Sequence, residues 1–145
     1  MRQIIAFIAI FGIVAGCATF VRSSYEKKFG VYVEHDQVST FCLVPSLRAV
    51  IAGAERHFNA PVVVTSGYRN PIRNWFQGGA DDSFHKRCMA ADIFAPGVAK
   101  SDLIAYMMRE PGVGGLGCYP GRKFIHIDVR DRPRGYTRPV TFEGC

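Results

Sequence analysis

From Pro45 onward, Leu47, Val50, Ile51, Ala54 and Phe58 return at three- and four-residue intervals, the spacing of one helix face. Pro45 suits the start of that helix, and Asn59 with Ala60-Pro61 marks its end. The β-branched run Pro61-Val62-Val63-Val64-Thr65 reads as a short buried strand. Turn formers then take over between residues 66 and 82, among them Gly67, Asn70-Pro71 and Gly78-Gly79, and predict a long loop of the functional or disordered kind. Ala90-Ala91-Asp92-Ile93-Phe94 predicts a second strand, stopped by Pro96-Gly97. A second helix is expected over residues 100–109, with Ser101 near its start and Pro111-Gly112 beyond it. Lys123-Phe124-Ile125-His126-Ile127-Asp128-Val129 alternates polar and apolar positions, as a half-buried strand does. Residues 18–41 carry mixed charge without sustained periodicity and read as a tether with one short element near 30–33. No internal repeat is present. Helix, strand, strand, helix, strand is the order of an α+β domain, here with a small, mostly antiparallel sheet and helices packed on it.

The first residues follow a different pattern. After Met1-Arg2-Gln3, residues 4–16 form an unbroken apolar run of 13. That length fits the core of a signal peptide, roughly 7–15 residues, and falls short of the ~20 needed to span a bilayer. Val14-Ala15-Gly16-Cys17 closes the run and resembles a bacterial lipobox, in which the cysteine thiol takes a diacylglycerol. The implied organisation is a lipoprotein signal peptide over 1–16, a lipidated start and tether over 17–41, and one folded domain over 42–145. An exported protein anchored to a membrane through lipid on Cys17 is expected, facing the periplasm or cell wall. Ala18, in place of Asp, implies outer-membrane sorting if the source has an outer membrane. The alternative is an ordinary signal peptide that ends near a cysteine.

Export changes how the other cysteines read. Cys42, Cys88, Cys118 and Cys145 are even in number, lack C-x-x-C spacing and suit two disulfides in an oxidising compartment. Three connectivities are open; Cys42 with Cys88 and Cys118 with Cys145 is the preferred one. The chain of 145 residues fits one domain and is expected as a monomer. Eighteen Lys and Arg against 12 Asp and Glu give a net charge of +6, and loss of Arg2 with the signal segment lowers it by one to +5. Such a charge suits an anionic polymer. Export makes nucleic acid the poorest candidate.

Chemistry concentrates in two stretches. His126 and Asp128 are two residues apart on the last predicted strand, so they share a face with Phe124, while Ile125, Ile127 and Val129 face the core. His85 precedes Asp92 by seven residues, and the intervening Ala90-Ala91 allows a tight return that brings the two together. Two imidazoles and one carboxylate leave a tetrahedral zinc one open position, the catalytic arrangement. His35 and His57 are expected at the surface.

Thr65-Ser66-Gly67-Tyr68-Arg69, Asn74, Gly78-Gly79-Ala80, Ser83-x-His85, Ala90-Ala91-Asp92, Gly114-Gly115-Leu116-Gly117-x-Tyr119 and His126-Ile127-Asp128 together resemble the M15 peptidases, in the family's order and over about residues 42–130. These are D-alanyl-D-alanine carboxypeptidases and murein endopeptidases, with a fold similar to the Hedgehog N-terminal domain. The resemblance implies zinc on His85, Asp92 and His126, and peptidoglycan stem peptides or cross-links as substrate. It implies substrate contacts from Arg69 and Ser83. Tyr68 is grouped with them, although its ring suits packing better than chemistry. A guanidinium such as Arg69 matches a substrate carboxylate bidentately; its structural alternative is to bridge loop carbonyls. Many relatives carry Glu or His two or three residues before the last ligand, where this chain has Phe124 and Lys123. Asp128 is therefore the candidate general base, or else a carboxylate that orients an imidazole or Arg69. Cys88 stands where relatives often have Gly. Gly112-Val113-Gly114-Gly115-Leu116-Gly117 matches a dinucleotide-binding string, yet it lacks the strand before and helix after that the motif requires, and reads as a glycine-rich turn beside the active site. The alternative to an enzyme is a peptidoglycan-binding lipoprotein that keeps this fold without cleaving.

Overall fold

A computed structural model of the protein describes residues 25–145; residues 1–16, expected as a signal peptide, and Cys17, expected as the lipidation site, lie outside the described residues. Seven strands form one sheet: β1 (Glu26–Lys28), β2 (Val31–Val33), β3 (Val63–Ser66), β4 (Ala90–Phe94), β5 (Gly115–Gly117), β6 (Ile125–Asp128) and β7 (Val140–Phe142). Their order across the sheet is β1-β2-β3-β4-β6-β5-β7. Four of the pairings are antiparallel, while β2 runs parallel to β3 and β5 parallel to β7. The helices are α1 (Pro45–Phe58), α2 (Pro71–Phe76) and α3 (Lys100–Met107), with one 3-10 turn at Phe84–Arg87. The class is α+β, as expected.

One side of the sheet holds the core. Leu47, Val50, Ile51 and Ala54 of α1 and Leu103 and Met107 of α3 pack with Val64, Ile93, Leu116, Ile125 and Ile127 from four strands. Ile125 and Ile127 are fully buried on that side, and their alternation leaves His126 and Asp128 on the other. Asn59 ends α1 in the left-handed conformation, its φ at 47°.

Three expectations need correction. The short element expected near 30–33 is β2, but residues 26–33 are not tether: β2 hydrogen-bonds to β3, and Val31, Val33 and Val38 join the core. Arg48 of α1 holds the following segment by donating to the carbonyl oxygens of Leu43 (2.8 Å) and Thr40 (2.5 Å). The folded unit therefore starts well before residue 42. The 66–82 stretch is not all loop, because α2 occupies its middle with Asn70 as N-cap, accepting from the Arg73 N–H at 2.8 Å. The glycine string is not a turn but contains β5.

The structure pairs Cys42 with Cys88 and Cys118 with Cys145. The buried side chain of Ile127 sets the scale of the core energetics. Ile127→Ala should lower unfolding free energy by about 3 kcal/mol, read as a lower urea midpoint at unchanged slope.

Candidate metal centre

Strand register builds the centre. Ser66, Asp92, His126, Gly117 and Phe142 are successive partners across β3, β4, β6, β5 and β7, one straight row over the sheet. Directly opposed residues project to the same face, so Asp92 and His126 come together on the face away from the helical core. His85 reaches them from the 3-10 turn. The chain reverses there at Cys88, whose φ of 59° is in the left-handed region, and not at Ala90-Ala91, which lie within β4.

Three donor atoms converge. His85 Nε2 stands 3.1 Å from His126 Nδ1 and 3.3 Å from Asp92 Oδ1, and His126 Nδ1 stands 3.1 Å from the same oxygen. All three residues are buried, with exposures of 2%, 7% and 5% for His85, His126 and Asp92. Among the described residues this is the one group of three or more His, Cys, Asp and Glu side chains placed to hold a metal ion.

The outer ring nitrogens decide which lone pairs point inward. His85 Nδ1 lies 2.7 Å from the Gly67 carbonyl oxygen, which can only accept, so that nitrogen carries the proton. His126 Nε2 lies 3.2 Å from Asp128 Oδ2 and donates to it. In the neutral rings His85 Nε2 and His126 Nδ1 are then both bare, beside a carboxylate oxygen. Such an arrangement calls for a cation at its middle.

Asp128 sits behind His126. It is fully buried, and Arg130 donates to it from its backbone N–H (3.1 Å), Nε (2.7 Å) and Nη2 (2.5 Å). Of the two readings of Asp128, the geometry favours the carboxylate that orients an imidazole; as a base it would have no free oxygen facing the centre. Gly115 makes room for this pair, since a Cβ there would meet Asp128 Oδ2 at 2.3 Å.

Arg69 pairs through Nη2 with Asp92 Oδ2 and donates from Nε to Ser66 Oγ at 2.8 Å. Its fork is thus largely committed within the protein. Nη1 makes no hydrogen bond among the described residues, and Arg69 lines a cleft of about 730 Å³ with Ser66, Gly78, Asp92, Tyr119 and Glu143.

A family model described as Peptidase M15 matches residues 17–128. The chain belongs to the peptidase M15 family. The peptidoglycan L,D-endopeptidases MepK of Escherichia coli K12 and of Shigella flexneri are each 39% identical to it over 76 residues, 48% of this chain and 40% of the relative. The chain thus spans less than half the length of these curated relatives.

Other candidate residues of this M15 chain do not line the cleft. Ser83 and Tyr68 are absent from the cleft lining: Ser83 precedes the 3-10 turn, and Tyr68 packs edge-on against Phe41 with ring centres 5.7 Å apart. His35 and His57 are exposed. Residues that sequence reasoning did not single out stand closer. Phe142 lays its ring 5.3 Å from that of His126, and Arg130 stacks 4.3 Å from the Phe84 ring while holding Asp128. Tyr119 was legible only as part of a motif and lines the cleft itself.

Electrostatics match this geometry. Burial disfavours a charged Asp92, yet its two imidazole neighbours outweigh it and hold its carboxyl well below the usual range. Burial lowers the pKa of His85. For His126, burial is outweighed by its contacts with Asp128 and Asp92, which raise its pKa, so protons compete with a cation for that ring. Burial also opposes charge on Asp128, but bonds from His126 and Arg130 bring its pKa down to about 2. A carboxylate whose folded pKa lies below its unfolded value of about 3.9 stabilises the fold above that value and loses this contribution as pH falls to the folded pKa. In metal-free protein Asp128→Asn should therefore cost about 2 kcal/mol near pH 7, with the difference from wild type vanishing between about pH 4 and 2. Urea unfolding of both proteins across that range measures it.

Proposed function

We propose that this chain is a zinc-dependent peptidase that hydrolyses a peptide bond in the stem peptides or cross-links of peptidoglycan. The triangle of His85 Nε2, His126 Nδ1 and Asp92 Oδ1 carries this reading. Ligand atoms about 2.0–2.1 Å from a tetrahedral zinc stand about 3.3 Å from one another, and the three edges of this triangle are 3.1, 3.1 and 3.3 Å. Two neutral imidazoles and one carboxylate are also a donor set that zinc takes in catalytic sites, with a further position left for water or substrate. Bound zinc supplies Lewis acidity, polarising a carbonyl oxygen and lowering the pKa of water.

The protein's own residues supply the rest. Gly67 and Asp128 fix the two imidazoles in the tautomers that present bare nitrogens, and Arg130 keeps Asp128 ionised. Arg69 holds the second oxygen of Asp92 and keeps Nη1 as a donor for a substrate oxygen. That commitment favours endopeptidase over carboxypeptidase action, because a guanidinium tied to Asp92 and Ser66 is poorly free to clamp a terminal carboxylate. The MepK relatives, named as L,D-endopeptidases, point the same way.

Export and a lipid anchor on Cys17 belong to the same proposal. Support comes from the 13-residue apolar run before Cys17. Among the described residues no helix is long and apolar enough to cross a membrane. A second reading, a peptidoglycan-binding lipoprotein that holds the metal without cleaving, is favoured by one observation: neither Phe124 nor Lys123 offers a base beside His126.

Purified protein incubated with muropeptides, with and without a chelator, separates these readings by mass analysis of the products. His85→Ala, Asp92→Ala and His126→Ala should each lose zinc on dialysis and lower turnover by at least about 10³-fold, the scale of removing a metal centre's contribution. Full turnover by zinc-free His126→Ala protein would sink the mechanism.

A further inference from the structure

The peptidase reading leaves the proton acceptor without an owner, and the cleft narrows the field. Among the described residues its lining holds three carboxylates: Glu34, Asp92 and Glu143. Lys123 is ion-paired to Glu34, its ammonium also lying 4.3 Å from the ring centre of Phe94. Asp92 is committed to the triangle and to Arg69. Glu143 is exposed, and its carboxylate makes no hydrogen bond or ion pair among the described residues.

The fold delivers Glu143 to this place through β7. Phe142 occupies the end of the row that contains Asp92 and His126, and its ring lies against the His126 imidazole. It fits there because Gly117 intervenes; a Cβ on Gly117 would meet the Phe142 ring at 2.6 Å and the Tyr119 ring at 2.9 Å. The chain then leaves the strand with Glu143 at a φ of 51°, a conformation that non-glycine residues adopt at a cost. Three ties hold it: the Tyr119 N–H donates to the Glu143 carbonyl at 2.7 Å, the Cys145 N–H donates to the Phe142 carbonyl at 3.4 Å, and Cys118 is bonded to Cys145. Tyr119, itself at a φ of 46°, lines the same cleft. Burial first, then the charges of Asp92 and Glu143, push its phenol upward.

We propose that Glu143 is the proton shuttle of the peptidase, a catalytic residue carried by the β7 segment. This rests on the peptidase reading above. Glu143 takes one proton from the water that attacks the scissile carbonyl and returns it to the amide nitrogen as that leaves. A C–O bond forms, the C–N bond breaks, one water is consumed and the carboxylate is regenerated. The residue lies beyond the 17–128 span of the family match, so the β7 segment supplies what the residues just before His126 do not. The Cys118–Cys145 bond positions it.

Glu143→Gln keeps the shape and removes the basicity. In zinc-loaded protein it should lower kcat on muropeptides by roughly 10²–10⁴-fold, the usual worth of a positioned acid–base group, with zinc content unchanged. Glu143→Asp should recover part of that loss. A second readout does not need turnover. Acetohydroxamic acid loses its proton on binding zinc; calorimetry in buffers of different ionisation enthalpy counts whether that proton stays on the protein or reaches the buffer. Wild type should retain it, and Glu143→Gln should release about one more proton per site. Turnover within threefold of wild type, or an unchanged proton count, would overturn the proposal. A loaded wild type that retains the proton but cleaves no muropeptide would instead refute the peptidase reading and leave Glu143 as the proton acceptor.

Discussion

Two bare imidazole nitrogens and a carboxylate oxygen held within 3.3 Å of one another are the constraint around which this structure is arranged. Left alone, three electron-rich atoms at that distance in a buried pocket repel, and no water-sized relaxation is available to residues 2–7% exposed. A proton on His126 relieves the repulsion in part; a divalent cation relieves it fully. Much of the surrounding architecture keeps these atoms from escaping. The Gly67 carbonyl fixes one ring, the Asp128–Arg130 pair fixes the other, and Arg69 with Ser66 fixes the carboxylate.

The supports in turn explain the glycines of β5. Strands favour side chains that fill space, and glycine weakens them. Here the space is already taken: the Asp128 carboxylate lies where a Gly115 side chain would go, and the Phe142 and Tyr119 rings lie where that of Gly117 would go. Leu116 between them points to the opposite side and is fully buried. A string that resembles a phosphate-binding turn thus contains a strand stripped of side chains on one face, to admit Asp128, Phe142 and Tyr119 beside the candidate metal centre.

The same reasoning separates what was legible in the sequence from what was not. α1, β4 and β6 announce themselves because each buries a periodic apolar face, and the β6 alternation placed His126 and Asp128 correctly on one side. His85, Asp92 and His126, the three residues that converge, were recoverable from residue type and motif order. α2 was not, because it buries Asn74 alone and leaves Ile72, Trp75 and Phe76 exposed, so no apolar stripe marks it. β1 and β2 are three residues each, too short for a period to register. β5 was hidden by its glycines. Phe142 reaches the centre, and Glu143 the cleft, through a parallel pairing with β5 and a disulfide, long-range relations that no local pattern encodes.

Asp128 and Glu143 show why side-chain chemistry alone assigns roles poorly. Asp128 contacts His126, while Glu143 lines the cleft that Asp92 also borders. One is fully buried, accepts four hydrogen bonds from His126 and Arg130, and has its pKa brought down to about 2. A base so thoroughly stabilised as the anion gains little by taking a proton, and it faces the back of the imidazole. The other borders the cleft without a partner among the described residues, on a turn secured at both ends. Proximity in sequence to the last ligand favoured the first; accessibility and uncommitted lone pairs favour the second. For proton transfer the decisive property is a lone pair that substrate and water can reach, and in this fold that property belongs to the segment that follows β7 rather than to the strand carrying the ligand.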